Sequence, residues 1–517
     1  MKKISILIIA SLLSIRVYSQ DNIKDVIVFH WNDFHARDLP FKISKKDSAS
    51  GKTNYYYVGG TSNMLGYLNK YRTKNSLVLN AGDDFQGTPI STVTRGRSQI
   101  ELLNLYHIDA FVFGNHEFDY GQYTLDSAMQ LVNFDYLSSN VYFNPKHSTF
   151  GKPFLVKNIG GVKFGIIGIT LPNLIEATIP SNICEITLLN LDSVLQSDIS
   201  QLKKEKCNVI VLLTHEGVDA DKLLAEKYYK DVDVIVGGHS HTPLFKPVLD
   251  NGVIIVQAGA FSRWLGELDL KVDVSKDTVI GYSGRLIETV MDSSIYDKAA
   301  EQKVEEMVAS IGGDLMRVIG KLETDWRASY MQESNLGQFE ADAFKEKTGV
   351  DIAFINGGGL RKNLMQGDIK VTDIWEINPF GNELNVFTVS GKVLRQMLIN
   401  NTRIRFLERK GGNDLEILNV SGITYSYDSK QIEEDSNNVN INITINGIPL
   451  DESKDYSIAT NNFVTSQFKM FFGGLPGQIE FKGTGLIDRD VIIEIVEKQK
   501  VIISTLEKRI IDISNPK

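Results

Sequence analysis

The sequence predicts a layered α/β fold divided into more than one domain. Three observations carry this: the chain is 517 residues long, short apolar runs alternate with helical segments through the first half, and all eight histidines lie at or before His241. A single hydrophobic core stops growing near ~250–300 residues, so the length calls for at least two. Residues 26–29, 77–79, 110–113, 164–169, 209–213, 234–236 and 253–256 are rich in Val, Ile and Leu, as strands buried on both faces are. Residues 60–71 and 191–205 carry helical spacing between them. Strand–helix alternation of this kind builds sheets covered by helices.

The chain begins with Lys2 and Lys3, an apolar run over 4–15, and Val17-Tyr18-Ser19 before Gln20. This reads as a secretory signal over 1–19, and an exported protein, periplasmic or secreted. No later stretch is apolar enough to span a bilayer, and no cysteine follows the run to carry a lipid. The net charge of -9 does not suit nucleic acid as a partner. Cys184 and Cys207 are the only cysteines; a disulfide and two buried thiols are both open. Residues 21–292 form the first domain. Residues 293–318, with Tyr296, Ala299, Ala300, Val304, Met307 and Val308 at helical spacing, read as a helical linker. A second domain follows over 319–517. In it, 334–347 reads as a helix, 352–355 as a strand, and 431–438 as a polar hairpin loop.

Polar clusters follow the apolar runs in order: His30-Trp31-Asn32-Asp33-Phe34-His35, Asn80-Ala81-Gly82-Asp83-Asp84, Gly114-Asn115-His116-Glu117-Phe118-Asp119, Thr214-His215-Glu216 and Gly237-Gly238-His239-Ser240-His241. In an open α/β sheet, strand ends share one crevice, so these side chains are expected on one rim. Asp, Asn and His are ligand types for divalent metals. Glycines at 82, 114, 237 and 238 suit close approach of backbone to a site. An Asp-x-His alone is usually a loop; Gly-Asn-His-Glu after a buried run is far more specific, and the five together point to metal.

In this order and form the motifs resemble the calcineurin-like metallophosphoesterases, and within them the 5'-nucleotidase and UDP-sugar hydrolase branch. The resemblance covers nearly the whole chain after the signal. It implies an N-terminal four-layer αββα metallophosphoesterase domain and a C-terminal α/β substrate domain. It also implies two divalent metal ions, zinc, manganese or similar. Asp33, His35, Asp83 and His241 would hold one; Asp83, Asn115, His215 and His239 would hold the other. Asp83 would bridge them, and its two oxygens permit that. His116 resembles the family's catalytic histidine, with Asp119 three residues on to orient it. Such a site hydrolyses phosphate esters with water as nucleophile.

In the second half, Asn356-Gly357-Gly358-Gly359-Leu360-Arg361 resembles the family's Asn-Gly-Gly-Gly-x-Arg loop, in which Arg361 would pair with phosphate. Asn378-Pro379-Phe380-Gly381-Asn382 and Asn462-Phe463 resemble two further family loops. Phe380 and Phe463 would sandwich a base, with Asn382 at its edge. Core packing is the plainer reading of each phenylalanine alone. Two departures weaken nucleoside recognition: Leu475, in Gly473-Gly474-Leu475-Pro476-Gly477, replaces a family aspartate, and Gln332 stands where relatives carry arginine. Against these departures, the resemblance implies a nucleotide as the small-molecule ester, with UDP-sugars or other nucleoside diphosphates as further substrates. A 2',3'-cyclic nucleotide or another phosphate ester is the alternative, and binding without turnover a third reading.

Overall fold

The computed structural model describes residues 22–46, 53–410, 415–475 and 479–515. The signal-like segment 1–19, and Pro476 and Gly477 of the loop after Phe472, lie outside the described residues. Two six-stranded sheets stack in the N-terminal half. The first runs, in spatial order, Thr278–Glu288, Trp264–Asp273, Ile23–Trp31, Ser76–Asn80, Ala110–Val112 and Asp135–Leu137. The second runs Val248–Asp250, Val253–Val256, Val234–Val236, Val209–His215, Val162–Thr170 and Phe154–Ile159.

Alternating side chains explain why each strand is apolar throughout. Val209, Val211 and Leu213 join Val26, Val28, Leu77 and Leu79 in the core between the sheets. Ile210 and Leu212 point the other way, onto Leu195, Ile199 and Leu202 of the Leu191–Lys204 helix. On the far side of the first sheet, Phe29 and Phe111 meet Met64 and Leu68 of the Thr61–Tyr71 helix. The result is helix, sheet, sheet, helix. The Leu191–Lys204 helix starts where the Asn190 side chain accepts from the Ser193 N–H.

The strand readings hold, but the strand ends do not lie along one rim. Asp33, Asp83 and Asn115 follow strands of the first sheet, and His215, His239 and His241 belong to the second. They meet where the carboxyl ends of inner strands of the two stacked sheets face each other. Over 293–318 the helix is Lys298–Ser310, with Val304 packed against Ile90 and Leu102. The segment 431–438 is not all loop: Ser429–Glu434 is helical, because the Asp428 side chain accepts from Lys430 and Gln431 N–H groups. Cys184 is exposed and Cys207 buried; both are free thiols.

The C-terminal half is built on a five-stranded sheet in the order Leu418–Ser421, Ile352–Asn356, Asp455–Asn461, Glu383–Ser390, Lys482–Ile487. Helices Asn335–Thr348 and Asp488–Gln499 cover one face through Phe344, Ile492 and Val496. Helix Gly391–Lys410 covers the other through Leu394 and Met397. Ser334 caps the Asn335–Thr348 helix at the Gly337 N–H. Among the described residues, no helix is long and apolar enough to cross a membrane.

The halves touch around the first half's polar cluster. Arg37 pairs with Glu376 at 2.5 Å, and Lys362 reaches the same carboxylate at 2.7 Å. The Gln467 amide donates to the carbonyls of Ile175 and Thr178, at 2.7 and 3.0 Å.

Candidate metal centre

Two groups of ligand atoms converge: Asp33, His35 and His241, and Asp83, His215 and His239. In the first, Asp33 Oδ1 lies 3.2 Å from His241 Nε2 and 3.8 Å from His35 Nε2. The same oxygen is 3.9 Å from His215 Nε2, so Asp33 faces both groups. In the second, Asp83 Oδ2 lies 3.0 Å from His215 Nε2. Asn115 Oδ1 is 3.1 Å from His239 Nδ1, which adds the amide to this group. All seven residues proposed from the sequence as ligands are therefore gathered.

The donor set fits divalent cations. Asp33 Oδ1 and His215 Nε2 are buried and make no hydrogen bond, although partners of the right charge are close. His35 and His241 approach Nε2 to Nε2 at 3.0 Å, lone pair toward lone pair unless a proton or a cation lies between. The far nitrogens are fixed: His35 Nδ1 faces the Gln86 carbonyl at 2.9 Å and His215 Nδ1 faces the Ala81 carbonyl at 2.5 Å. Carbonyls that accept from one ring nitrogen leave the other free for metal. Burial, then Arg361 and His241, hold His35 well below its usual range. Burial and the neighbouring His215 lower His239 to about 4. Burial opposes charge on Asp83 too, yet His215 and His116 hold its carboxyl well below the usual range.

Backbone geometry shows how tightly the loops are wound. Asp33, His35, Asp83, His239 and His241 all have φ between 51° and 73°. Left-handed backbone costs a non-glycine residue on the order of 1–3 kcal/mol, so the surrounding contacts must hold each one. Gly114 shows the close approach most sharply. A Cβ there would stand 2.1 Å from Asp83 Oδ1 and 2.7 Å from His215 Nε2.

Three supports were not assigned from the sequence. Glu117 is buried, and its carboxylate accepts from four backbone N–H groups: Gly114 at 2.7 Å, Asp83 at 2.9 Å, Asp84 at 2.7 Å and Phe85 at 3.3 Å. Asn32 donates to Asp33 Oδ2 at 2.5 Å and to the Gly259 carbonyl at 2.6 Å. Gln257 ties Gly238, Ser240 and Thr242 together. Glu117 and Asn32 sit inside the quoted motifs, which was the only signal for either.

His116 stands beside the ligands without joining them. Its Nδ1 is 2.7 Å from Asp119 Oδ2, and its backbone N–H donates to Asp83 Oδ1 at 2.9 Å. Burial works against its protonation, but Asp119 and Asp83 outweigh it and raise its pKa. From the C-terminal half, Arg361 Nη2 reaches His35 Nε2 at 3.4 Å, and the Phe380 ring lies 5.6 Å from His116. Asn356 is buried between Glu416 and Asn461. Asn382 is buried, and its carbonyl accepts from the Asp488 N–H. Phe463 lies edge-on to Phe471 at 6.4 Å, on an apolar cluster that also takes in Leu475.

Residues 28–243 match the calcineurin-like phosphoesterase family and residues 318–473 match the 5'-nucleotidase C-terminal domain. With the two ligand groups, these define a two-domain metallophosphoesterase with two candidate metal sites. More narrowly, the chain belongs to the 5'-nucleotidase family. A snake venom 5'-nucleotidase from Naja atra is 28% identical, over 94% of this chain and 98% of its own. A 5'-nucleotidase from Rattus norvegicus is 27% identical, over 94% of this chain and 90% of its own. The crystal structure of a 5'-nucleotidase precursor from Thermus thermophilus superposes with a TM-score of 0.83 at 27% identity, covering 95% of this chain and all of that one.

Proposed function

We propose that this protein hydrolyses the phosphomonoester bond of nucleotides, with water as the nucleophile, and that it does so after export. Asp33, His35, Asp83 and His241 would hold one divalent ion, and Asp83, Asn115, His215 and His239 the other. Mixed imidazole and carboxylate donors suit zinc or manganese. When bound, such a pair polarises phosphoryl oxygens and acidifies water.

The chain's own groups supply the rest. Asp119 fixes the His116 ring, so that Nε2 carries a proton toward the transferring phosphoryl group or the leaving oxygen. Arg361 brings a fixed positive charge against the phosphate. Phe380 and Phe463 offer faces for a base, and Asn382 an amide for its edge. We keep 21–292 as the metal-holding domain, 293–318 as the linker and 319–517 as the substrate domain.

One observation carries the reading: His116 is held by Asp119 beside two groups of candidate metal ligands. Binding without turnover needs no such pair. A second reading keeps the chemistry and changes the ester to a cyclic nucleotide or sugar phosphate. Leu475 favours it, because an apolar side chain cannot accept from ribose hydroxyls. Phosphate release from 5'-nucleotides, cyclic nucleotides and sugar phosphates, with added zinc or manganese, separates the two. Fastest release from 5'-nucleotides is expected. Release from sugar phosphates alone would move the assignment to the second reading, and none from any ester would end both.

A further inference from the structure

We propose that Glu376 is a positioning residue for the phosphoester reaction: by pairing at once with Arg37 of the first half and Lys362 of the second, it bridges the halves and holds Arg361 against the metal centre. This rests on the reading of Arg361 as the phosphate contact.

The three charged groups come from both sides of the cleft. Arg37 follows the ligand His35 by two residues, Lys362 follows Arg361 directly, and Glu376 lies in helix Val371–Ile377. Glu376 Oε2 is 2.5 Å from Arg37 Nη1 and 2.7 Å from Lys362 Nζ. The Arg37 and Glu376 side chains are only 10% and 18% exposed, so salt screens the pair little. Lys362 Nζ also lies 3.1 Å from Asp373 Oδ1, one turn earlier on the same helix. The Arg361 N–H donates to the Ile377 carbonyl at 2.7 Å. Side chain and backbone therefore fasten residues 361 and 362 to the helix, and Arg37 fastens the helix to the first half.

Arg37 is itself rooted among the ligand loops. Its carbonyl accepts from Ser262 Oγ at 3.1 Å, and its guanidinium lies 5.4 Å from the Phe261 ring. That ring stands 5.6 Å from His35 and 5.4 Å from His241. The Phe261 N–H donates to the Asp33 carbonyl at 2.8 Å.

Helix stability alone does not account for Glu376. It sits in the last turn of its helix, where the macrodipole disfavours a carboxylate. Removal from water penalises an ion further unless its partners repay the loss. They do: burial works against the ionised form, yet Arg37 and then Lys362 outweigh it and hold the carboxyl below its usual range. Arg361 has the opposite problem. Its Nη2 is 3.4 Å from His35 Nε2, an atom offered to a cation. Like charges repel there, so Arg361 needs a restraint from outside the site until an anionic ester arrives. Glu376 supplies that restraint through the neighbouring Lys362.

The test is a double-mutant cycle of Arg37→Met and Glu376→Gln in phosphate release from a 5'-nucleotide with saturating divalent metal. Each single variant should raise KM about tenfold with a smaller change in kcat, and the double variant should be no worse than the poorer single. Arg37→Lys keeps the charge and should stay within about threefold of the wild-type KM. Metal content by elemental analysis should be unchanged throughout. An unchanged KM in Glu376→Gln, or a rise of about a hundredfold in the double variant, overturns the bridge. Loss of metal in Arg37→Met does so too, because Arg37 would then act on the ligands directly. If Arg37→Met does not fold, Glu376→Gln decides alone. Melting curves over the same cycle read the pairing without turnover, and single-variant losses in Tm that simply add overturn it whatever the activity. An inactive wild type whose losses in Tm do not add would sink the function proposed above and leave the bridge standing.

Discussion

Gly114→Ala places the smallest possible perturbation at the centre of the site. The added Cβ would stand 2.1 Å from Asp83 Oδ1 and 2.7 Å from His215 Nε2, two atoms of one ligand group. Ordinary contact needs more than an ångström of extra room at the first. The backbone at 114 is held by Glu117 through the Gly114 N–H, so the ligands must move instead. Overpacking of this kind costs about 1–3 kcal/mol in stability. Displacing catalytic groups by about 1 Å costs on the order of 10²-fold in rate. Metal content by elemental analysis and kcat with saturating metal are the assays. The variant should fold, bind metal more weakly and lose about 10²-fold in kcat. Wild-type metal content and rate in this variant would refute the claim that Gly114 is required by contact with the ligands.

Three other outcomes are expected. Glu117→Gln replaces one carboxylate oxygen, which accepts from two of the four backbone N–H groups, with a donor, and this should cost about 2–6 kcal/mol in denaturant unfolding at about 1–3 kcal/mol per orphaned N–H; a loss under ~1 kcal/mol would contradict the clamp. His116→Ala should keep its metal and lose about 10²-fold or more in kcat; if metal content falls as well, His116 is a ligand. His30 is buried and held neutral, its pKa lowered by burial to about 3. An unfolded chain then binds a proton the folded chain refuses, so stability should fall as pH drops from 6.5 toward about 3. Unfolding of His30→Phe across that range should show a shallower slope, and an unchanged slope would assign the acid sensitivity elsewhere.

Much of this was legible in the sequence because it is local. Valine-rich runs mark strands whatever their neighbours, and the ligands follow those runs directly. What was not legible is set by distant pairing. Ile23–Trp31 lies between Trp264–Asp273 and Ser76–Asn80, and no local pattern says that residue 23 finds residue 273. So one rim was expected where two sheets meet. The left-handed backbone at Asp33, His35, Asp83, His239 and His241 was equally hidden, since non-glycine residues do not announce it.

The central claim is that side chains from separate loops share a pair of cations across Asp83. Metal analysis of wild type and Asp83→Ala, each saturated with zinc or manganese and then desalted, tests it most directly. Two ions per wild-type chain are predicted, one for each ligand group, with at least one lost in the variant together with its phosphate release. A wild type that retains no ion, or an Asp83→Ala chain that keeps both and still turns over, would contradict the account.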